Sequence, residues 1–169
     1  SLSFKRHLFI GNLLIGILTS LSILTIGIYD MDFKILGLET TYQKFFWLYV
    51  VFAFLVTIIR ELIKDAEDIK GDLSDGCRTV PIVFGIDKTK QFVYLLFFFL
   101  FGIIAAFIIK MLVTKSLICI YYTIGIIVPS IIIMLKIKQA NSSSDFGEIS
   151  KWIKWLTLSG ILSMILIVI

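Results

Sequence analysis

The sequence predicts an all-α protein, a bundle of helices that crosses a membrane several times. Hydrophobic residues make up 59% of the 169 residues and charged residues only 17%, and the mean hydropathy is +1.01. Soluble domains are about a quarter charged and about half apolar. A soluble core could not bury this much apolar surface, so we expect the chain to lie in a bilayer.

Five apolar runs are long enough to span the membrane, because about 20 apolar residues cross a bilayer as a helix. In chain order they cover residues 8–29, 45–63, 92–109, 117–135 and 152–169. Glycines within the runs are expected where helices pack closely, and Pro129 is expected to kink the fourth helix. We interpret residues 1–169 as a single transmembrane domain, the carboxyl-terminal portion of a larger chain.

Lysine and arginine are distributed unevenly between the two ends of these spans. One side carries Lys5, Arg6, Arg60, Lys64, Lys70, Arg78, Lys88, Lys90, Lys136, Lys138, Lys151 and Lys154, and the other carries Lys34, Lys44, Lys110 and Lys115. The more basic side is expected to be cytoplasmic. This predicts a multi-pass protein of the cell inner membrane, with a cytoplasmic loop at 64–91. The same bias explains the net charge of +4, and we expect no nucleic-acid partner.

Acidic residues are concentrated after the second run. Six of the chain's twelve acids fall between Glu61 and Asp75. If the second helix continues beyond the membrane surface, about 100° of rotation per residue places Glu61, Asp65, Asp68 and Asp72 on one face, which we call the acidic stripe. Carboxylates four residues apart repel each other. The stripe therefore requires either bulk water, as in a solvated loop, or a cation.

A divalent metal would suit the acidic stripe. Mg²⁺ takes oxygen ligands and commonly uses one or two carboxylates together with waters and substrate phosphates. Basic side chains, which bind phosphate oxygens, flank the acids: Arg60, Lys64, Lys70 and Arg78. The arrangement fits metal-bridged binding of a diphosphate at the membrane surface, and it fits equally well a solvated cytoplasmic loop whose charges mark the membrane boundary. Glu67 and Asp75 point off the stripe and are expected to be solvated, while Gly71 and Gly76 are expected to end the helix.

One ordered pattern in this region is similar to a known family. It reads Arg60-Glu61-x-x-Lys64-Asp65-x-Glu67-Asp68-x-x-Gly71-Asp72, followed by Gly76-x-Arg78-Thr79-x-Pro81-Ile82 and Gly85. This pattern resembles the second aspartate motif of the UbiA superfamily of membrane prenyltransferases, closest to its geranylgeranylglyceryl-phosphate geranylgeranyltransferase branch. The opening Gly11-Asn12-Leu13-Leu14 also resembles the helix that begins the second half of this family.

The resemblance implies an enzyme that uses Mg²⁺ to transfer a prenyl group, with geranylgeranyl as a candidate. The donor would be a prenyl diphosphate. The acceptor would be a hydrophobic or phosphorylated molecule in the lipid bilayer, and a glycerol phosphate lipid precursor, an aromatic quinone precursor and haem all remain open. By resemblance, Asp68, Asp72 and Asp65 would be the metal ligands and catalytic residues. The substrate diphosphate would be bound by Arg60, Lys64, Lys70 and Arg78.

The chain departs from the family pattern in its length. The family has nine membrane helices and two aspartate motifs, whereas the five runs here resemble helices five to nine, and the first motif is absent. Two other classes of function remain open: a membrane transport protein, and a non-catalytic membrane module that binds a partner through its acidic loop. A transporter would place ionisable groups inside its spans, and these spans are almost free of charge.

Overall fold

The computed structural model describes residues 9–30, 41–111 and 120–163, and within these ranges the chain forms helices and no strands. The helices are α1 (Ile10–Asp30), α2 (Thr41–Glu67), α3 (Ile69–Ser74), α4 (Val80–Phe84), α5 (Ile86–Met111), α6 (Val128–Gln139) and α7 (Ser143–Leu162). A π-helical segment, Thr123–Ile127, leads into α6. The predicted all-α fold class is confirmed.

Four helical segments in the described part are long and apolar enough to cross a membrane. They are Ile10–Gly27, Phe45–Glu67, Ile86–Ile109 and Ile120–Gln139, and they match the first four predicted runs. The fifth predicted run, 152–169, begins within α7 and ends outside the described residues. Its described portion belongs to a more polar helix, since α7 carries two acids and two lysines in its first twelve residues.

Helix α2 is the central element of the bundle. It packs against α1, α5 and α7, and 56% of its span is buried, compared with 17–28% of the other three spans. Ile59 and Leu62 have no exposed surface. The outward faces of α1 and α5 present large apolar side chains, which suits contact with lipid tails. The acids that follow α2 are therefore attached to the most constrained helix of the protein.

The helix ends that the lysine and arginine pattern grouped together do meet in space. Asn12, near the start of α1, bonds Asp65 near the end of α2. Ser143, at the start of α7, bonds Glu67 at the end of α2. We call this the motif end of the bundle. The predicted connections at 30–44 and 110–116 lie largely outside the described residues.

Hydroxyl groups join three helices at the opposite end. The Tyr49 hydroxyl of α2 lies 2.6 Å from Ser163 Oγ, and the Tyr122 hydroxyl donates to Tyr49 at 3.2 Å. All three side chains are buried. In an apolar environment such groups are costly unless they bond one another, so this cluster fixes α2, the segment before α6, and the end of α7 at a common level.

Pro129, which was expected to kink its helix, is directly preceded by a π-helical segment and one helical residue, Val128. Proline lacks an N–H, so the Gly125 carbonyl loses its usual donor four residues later. Ser159 Oγ of α7 donates to that carbonyl at 2.8 Å, and the Tyr121 hydroxyl donates to Ser159 O at 2.8 Å. Neighbouring side chains thus satisfy the backbone at the distortion, as a membrane interior requires.

Glycines allow close contact at two surfaces of α2. Gly16 of α1 faces the Ile58 side chain, and Gly160 of α7 faces the ring of Phe52. The expectation that glycines mark helix packing therefore holds at both positions. It fails at Gly102 of α5, where an added Cβ would have no neighbour within 4 Å.

We predict opposite effects for the same substitution at two helical glycines. Gly160→Ala should lower the melting temperature, because its methyl group would overlap the Phe52 ring, and overpacking costs about 1–3 kcal/mol. Gly102→Ala should leave the melting temperature unchanged or raise it, because alanine favours a helix by about 1 kcal/mol over glycine. Thermal unfolding in detergent, followed by circular dichroism, measures both. Equal shifts for the two variants would contradict the packing described here.

Candidate functional site

The acidic stripe lies on a bent segment and not on one straight helix. Helix α2 ends at Glu67 and α3 begins at Ile69, and between them Asp68 has φ −95° and ψ 13°. Backbone hydrogen bonds continue across the bend, from Asp68 N to Lys64 O at 3.0 Å and from Asp72 N to Asp68 O at 2.9 Å. The bend therefore redirects the chain without breaking it, and most of the predicted loop at 64–91 is helical.

Burial divides the acids of the stripe into two groups. Asp65 and Asp72 are each only 5% exposed, and Glu61 is partly buried. Asp68, at the bend, is exposed. Asp65 and Asp72 are seven residues, or about two turns, apart, so both face the interior of the motif end. Acids are seldom this buried unless they are paired, so the motif end holds two carboxylates in an unusual environment.

Asn12 is a site residue that the sequence analysis did not identify. Its Nδ2 donates to Asp65 Oδ2 at 2.8 Å. This hydrogen bond ties the start of α1 to the acidic stripe and fixes one oxygen of a buried carboxylate. The sequence does carry one indication: Asn12 is a polar residue near the beginning of an apolar run, where its side chain needs a hydrogen-bond partner. The partner lies 53 residues away, so spacing alone could not reveal it.

Glu67 is not the solvated side chain that was expected. It is half-buried, and its Oε1 lies 3.0 Å from the position a Cβ on Gly147 would take. Its backbone oxygen accepts a hydrogen bond from Ser143 Oγ at 2.6 Å. The reason is that α7 begins beside the end of α2. Asp75, by contrast, is exposed as predicted.

The four predicted phosphate-binding residues surround the motif end but differ in their partners. Arg60 Nη1 lies 3.2 Å from Glu61 Oε1. Lys64, Lys70 and Arg78 are exposed, and they form no salt bridge with any other described residue. These three cations are accessible to an anionic ligand, whereas Arg60 would have to exchange its partner.

The turn after α3 is set by Gly76, as predicted. Gly76 has φ +67°, its N–H donates to Leu73 O at 3.2 Å, and Cys77 N–H donates to Asp72 O at 2.8 Å. This pair of bonds is the Schellman motif that commonly ends helices. Gly71 was also expected to end the helix, but it lies inside α3. Because the Asp72 carbonyl is one of the acceptors, the same turn helps to hold Asp72 in place.

The residues of the motif end can contribute to a metal site but do not form one alone. Among the described residues, no three Asp, Glu, His or Cys side chains converge closely enough to hold a metal ion. Mg²⁺ seldom uses such a cage and keeps waters and substrate phosphates among its ligands. One or two of the acids Asp65, Asp68 and Asp72 are enough to contribute ligands to a magnesium ion whose coordination is completed by waters and phosphate oxygens.

Comparison with known proteins assigns the family. The sequence matches the model of the UbiA prenyltransferase family over residues 1–162. The chain belongs to the UbiA prenyltransferase family. With four candidate spans in its described part, this UbiA family member is an integral membrane protein, and the resemblance drawn from the aspartate motif is confirmed.

Its relatives include several proteins named digeranylgeranylglyceryl phosphate synthase. The protein from Methanosphaera stadtmanae is 33% identical over 153 residues, which cover 89% of this chain and 51% of the relative. That from Pyrococcus furiosus is 36% identical over 113 residues, 67% of this chain and 39% of the relative. That from Methanoculleus marisnigri is 54% identical over 41 residues, 24% and 15% respectively. No solved structure matches the chain. The chain thus spans about half the length of the Methanosphaera relative.

In this UbiA family member, a capping box holds the start of α7 beside the motif end. Ser142 Oγ accepts from Asp145 N at 3.3 Å. In return, Asp145 Oδ2 accepts from the backbone N–H groups of Asn141 and Ser142, each at 2.9 Å. These donors, first that of Asn141, hold the pKa of the Asp145 carboxyl below its ordinary value. The box fixes the first turn of α7, from which Ser143 reaches Glu67.

The cap predicts an acid dependence of stability. A carboxyl whose pKa is depressed in the folded protein stabilises it above the unfolded pKa, about 4, and this contribution is lost as the pH falls through the folded value. The wild-type protein should therefore lose melting temperature more steeply below about pH 4 than Asp145→Asn. Asp75→Asn, which removes an exposed acid outside the box, should follow the wild-type profile. Parallel profiles for wild type and Asp145→Asn would show that the cap carries no such contribution.

Proposed function

We propose that this protein takes part in Mg²⁺-dependent transfer of a geranylgeranyl group from its diphosphate to a lipid acceptor at the membrane surface. The observation that carries the proposal is the motif end itself. Two buried acids, Asp65 and Asp72, flank the exposed Asp68 at the bend after the central helix, in a chain of the UbiA prenyltransferase family.

We assign Asp68 and Asp72, together with Asp65, to the metal. When bound there, Mg²⁺ would supply positive charge to the diphosphate as it leaves. The protein's own contribution is to hold the carboxylates in place. Asn12 restrains the Asp65 carboxylate through its Oδ2, and the turn at Gly76 restrains the backbone of Asp72. Asp68 remains open to solvent and to substrate.

We assign the exposed bases Lys64, Lys70 and Arg78 to the oxygens of the diphosphate, since none of them forms a salt bridge with another described residue. Arg60 already contacts Glu61. Binding a diphosphate through Arg60 would require breaking that pair, so we expect Arg60 to contribute less than the other three. A guanidinium can bind two phosphate oxygens at once. We therefore expect Arg78 to orient the diphosphate more precisely than Lys64 or Lys70.

The prenyl chain would extend from the motif end toward the apolar part of the bundle. A cavity of about 160 Å³ lies between α1, α2 and α7, with Tyr49, Phe52, Val56 and Ile161 among its lining residues. Pockets for small molecules usually measure about 300–1,000 Å³. The cavity is therefore too small to enclose a geranylgeranyl chain, and most of the chain would lie against other apolar surface.

For the acceptor, support comes from the relatives' name, digeranylgeranylglyceryl phosphate synthase. It describes a glyceryl phosphate that carries two geranylgeranyl groups, so we propose a glyceryl phosphate lipid as the acceptor in preference to a quinone precursor. We further propose that the motif end faces the cytoplasm, in line with the lysine and arginine pattern. A first aspartate motif outside this chain would supply the other half of the metal site.

The proposal predicts a steep and selective loss of turnover. In the intact protein, Asp68→Asn and Asp72→Asn should each lower turnover of geranylgeranyl diphosphate in the presence of Mg²⁺ by roughly 100-fold or more, because a metal ion contributes several kcal/mol to such chemistry. The matched control is Asp75→Asn, the same chemical change at an exposed acid beyond the bend, which should keep near-normal turnover.

Melting temperatures measured without Mg²⁺ show whether each variant is folded. Near-normal turnover in folded Asp68→Asn and Asp72→Asn would reject the metal assignment. If folded wild-type protein shows no Mg²⁺-dependent turnover of the diphosphate with a glyceryl phosphate lipid, the interpretation as a transporter or a non-catalytic module replaces that of an enzyme.

A further inference from the structure

A groove on the outward face of α7 lies apart from the acidic stripe. It is lined by Glu148, Lys151, Trp152 and Trp155 and has a volume of about 500 Å³. The two indoles are 36% and 66% exposed, which is unusual for residues of this size. The buried side chains of α7 lie on its other face, toward the rest of the bundle: Ile149, Ile153 and Leu156. We call this the α7 groove.

The depth of the α7 groove places it at the membrane interface. Helix α7 begins at Ser143, which is level with the end of α2 through its bond to Glu67. At about 1.5 Å per residue, Lys151 lies about 12 Å and Trp155 about 18 Å further along the axis. Tryptophan is enriched at the boundary between headgroups and hydrocarbon, where one edge of its ring is polar and its face is apolar. Glu148, at the start of the groove, lies beside Lys136, which directly follows the apolar stretch Ile131–Leu135 of α6. The groove therefore runs from this polar level toward the apolar part of the bundle and crosses that boundary.

The α7 groove carries a net positive charge, because its one acid is paired with a lysine of α6. The Glu148 carboxylate lies 3.4 Å from Lys136 Nζ, so Lys136 offsets its charge. In the part of the chain that the structure describes, neither Lys151 nor Lys154 forms a salt bridge. Both are exposed, and because they are three residues apart they share a side of the helix. Two ammonium groups thus border a surface made of two indoles.

We propose that the α7 groove binds the headgroup of an anionic phospholipid. Lys151 and Lys154 would contact the phosphate, while Trp152 and Trp155 would pack against the first part of the lipid chains. Two lysines beside an apolar surface of two indoles complement a molecule with a negatively charged headgroup and a hydrocarbon tail. A soluble anion would contact only the lysines. The α7 groove is distinct from the acidic stripe, because the two share no residue.

Tryptophan fluorescence can test the α7 groove directly in the intact protein. The chain has three tryptophans. Trp47→Phe therefore leaves the two in the groove as the only tryptophans that these 169 residues contribute to the emission. Brominated phosphatidylglycerol should quench this emission at a lower mole fraction than brominated phosphatidylcholine with the same chains. The expected difference is about fivefold for each of the two lysines. Equal quenching by the two lipids would overturn the proposal, and this comparison requires no further variant.

Paired charge variants locate the effect. Lys151→Gln/Lys154→Gln, in the Trp47→Phe background, should abolish the preference for phosphatidylglycerol. Lys88→Gln/Lys138→Gln removes the same charge from exposed lysines at the motif end but outside α7, and it should keep the preference. Equal losses in both double variants would indicate a general surface charge and reject the site.

Two further outcomes would also reject the lipid site. Inorganic phosphate should fail to displace the lipid, since it cannot occupy the indole surface; full displacement would indicate a soluble-anion site. Disulfide cross-linking of Trp155→Cys protein into a dimer at low lipid content, with no lipid preference, would show that a second copy covers the groove.

Discussion

The burial of α2 among three other helices is the constraint on which the motif end depends. A helix that packs against α1, α5 and α7 cannot shift without disturbing all of them, so the acids at its end have fixed positions. Asp65 of α2, and Asp72 of α3 just beyond the bend, are nearly as buried as the apolar core. Buried carboxylates are costly unless donors or cations accompany them. The protein retains them at and just after the end of its most buried described span, where hydrogen bonds from α1 and α7 converge.

The membrane imposes a second requirement, that backbone and hydroxyl groups be satisfied within the protein. The distortion before Pro129 meets it through Ser159 of α7, and the far end of the bundle meets it through the Tyr49, Tyr122 and Ser163 hydroxyls. Both sets of bonds join α7 to its neighbours. They hold α7 in place along its length, so that its first turn can lie beside Glu67 at the motif end.

Hydropathy and one motif were sufficient to predict the fold class, four of the spans and the family, because these depend on composition and on residues close together in sequence. The turn at Gly76 was predictable for the same reason. The contact of Glu67 with α7 was not, since it depends on packing between distant elements. Neither the bend at Asp68 nor the helical state of Gly71 follows from the motif. Asn12 shows the limit most clearly, because its partner Asp65 is 53 residues away. A shared helical face also could not predict which of these acids is exposed and which are buried: Asp65, Asp68 and Asp72.

In the mechanism proposed for the motif end, its carboxylates bind a divalent ion together with a diphosphate. Mn²⁺ also prefers oxygen ligands, and its electron paramagnetic resonance signal distinguishes free from bound ion. With inorganic diphosphate present, the intact protein should remove Mn²⁺ from solution; Asp72→Asn should largely abolish this uptake, and Asp75→Asn should retain it. Equal uptake of Mn²⁺ by wild type and folded Asp72→Asn protein would show that the carboxylates of the motif end do not bind the ion.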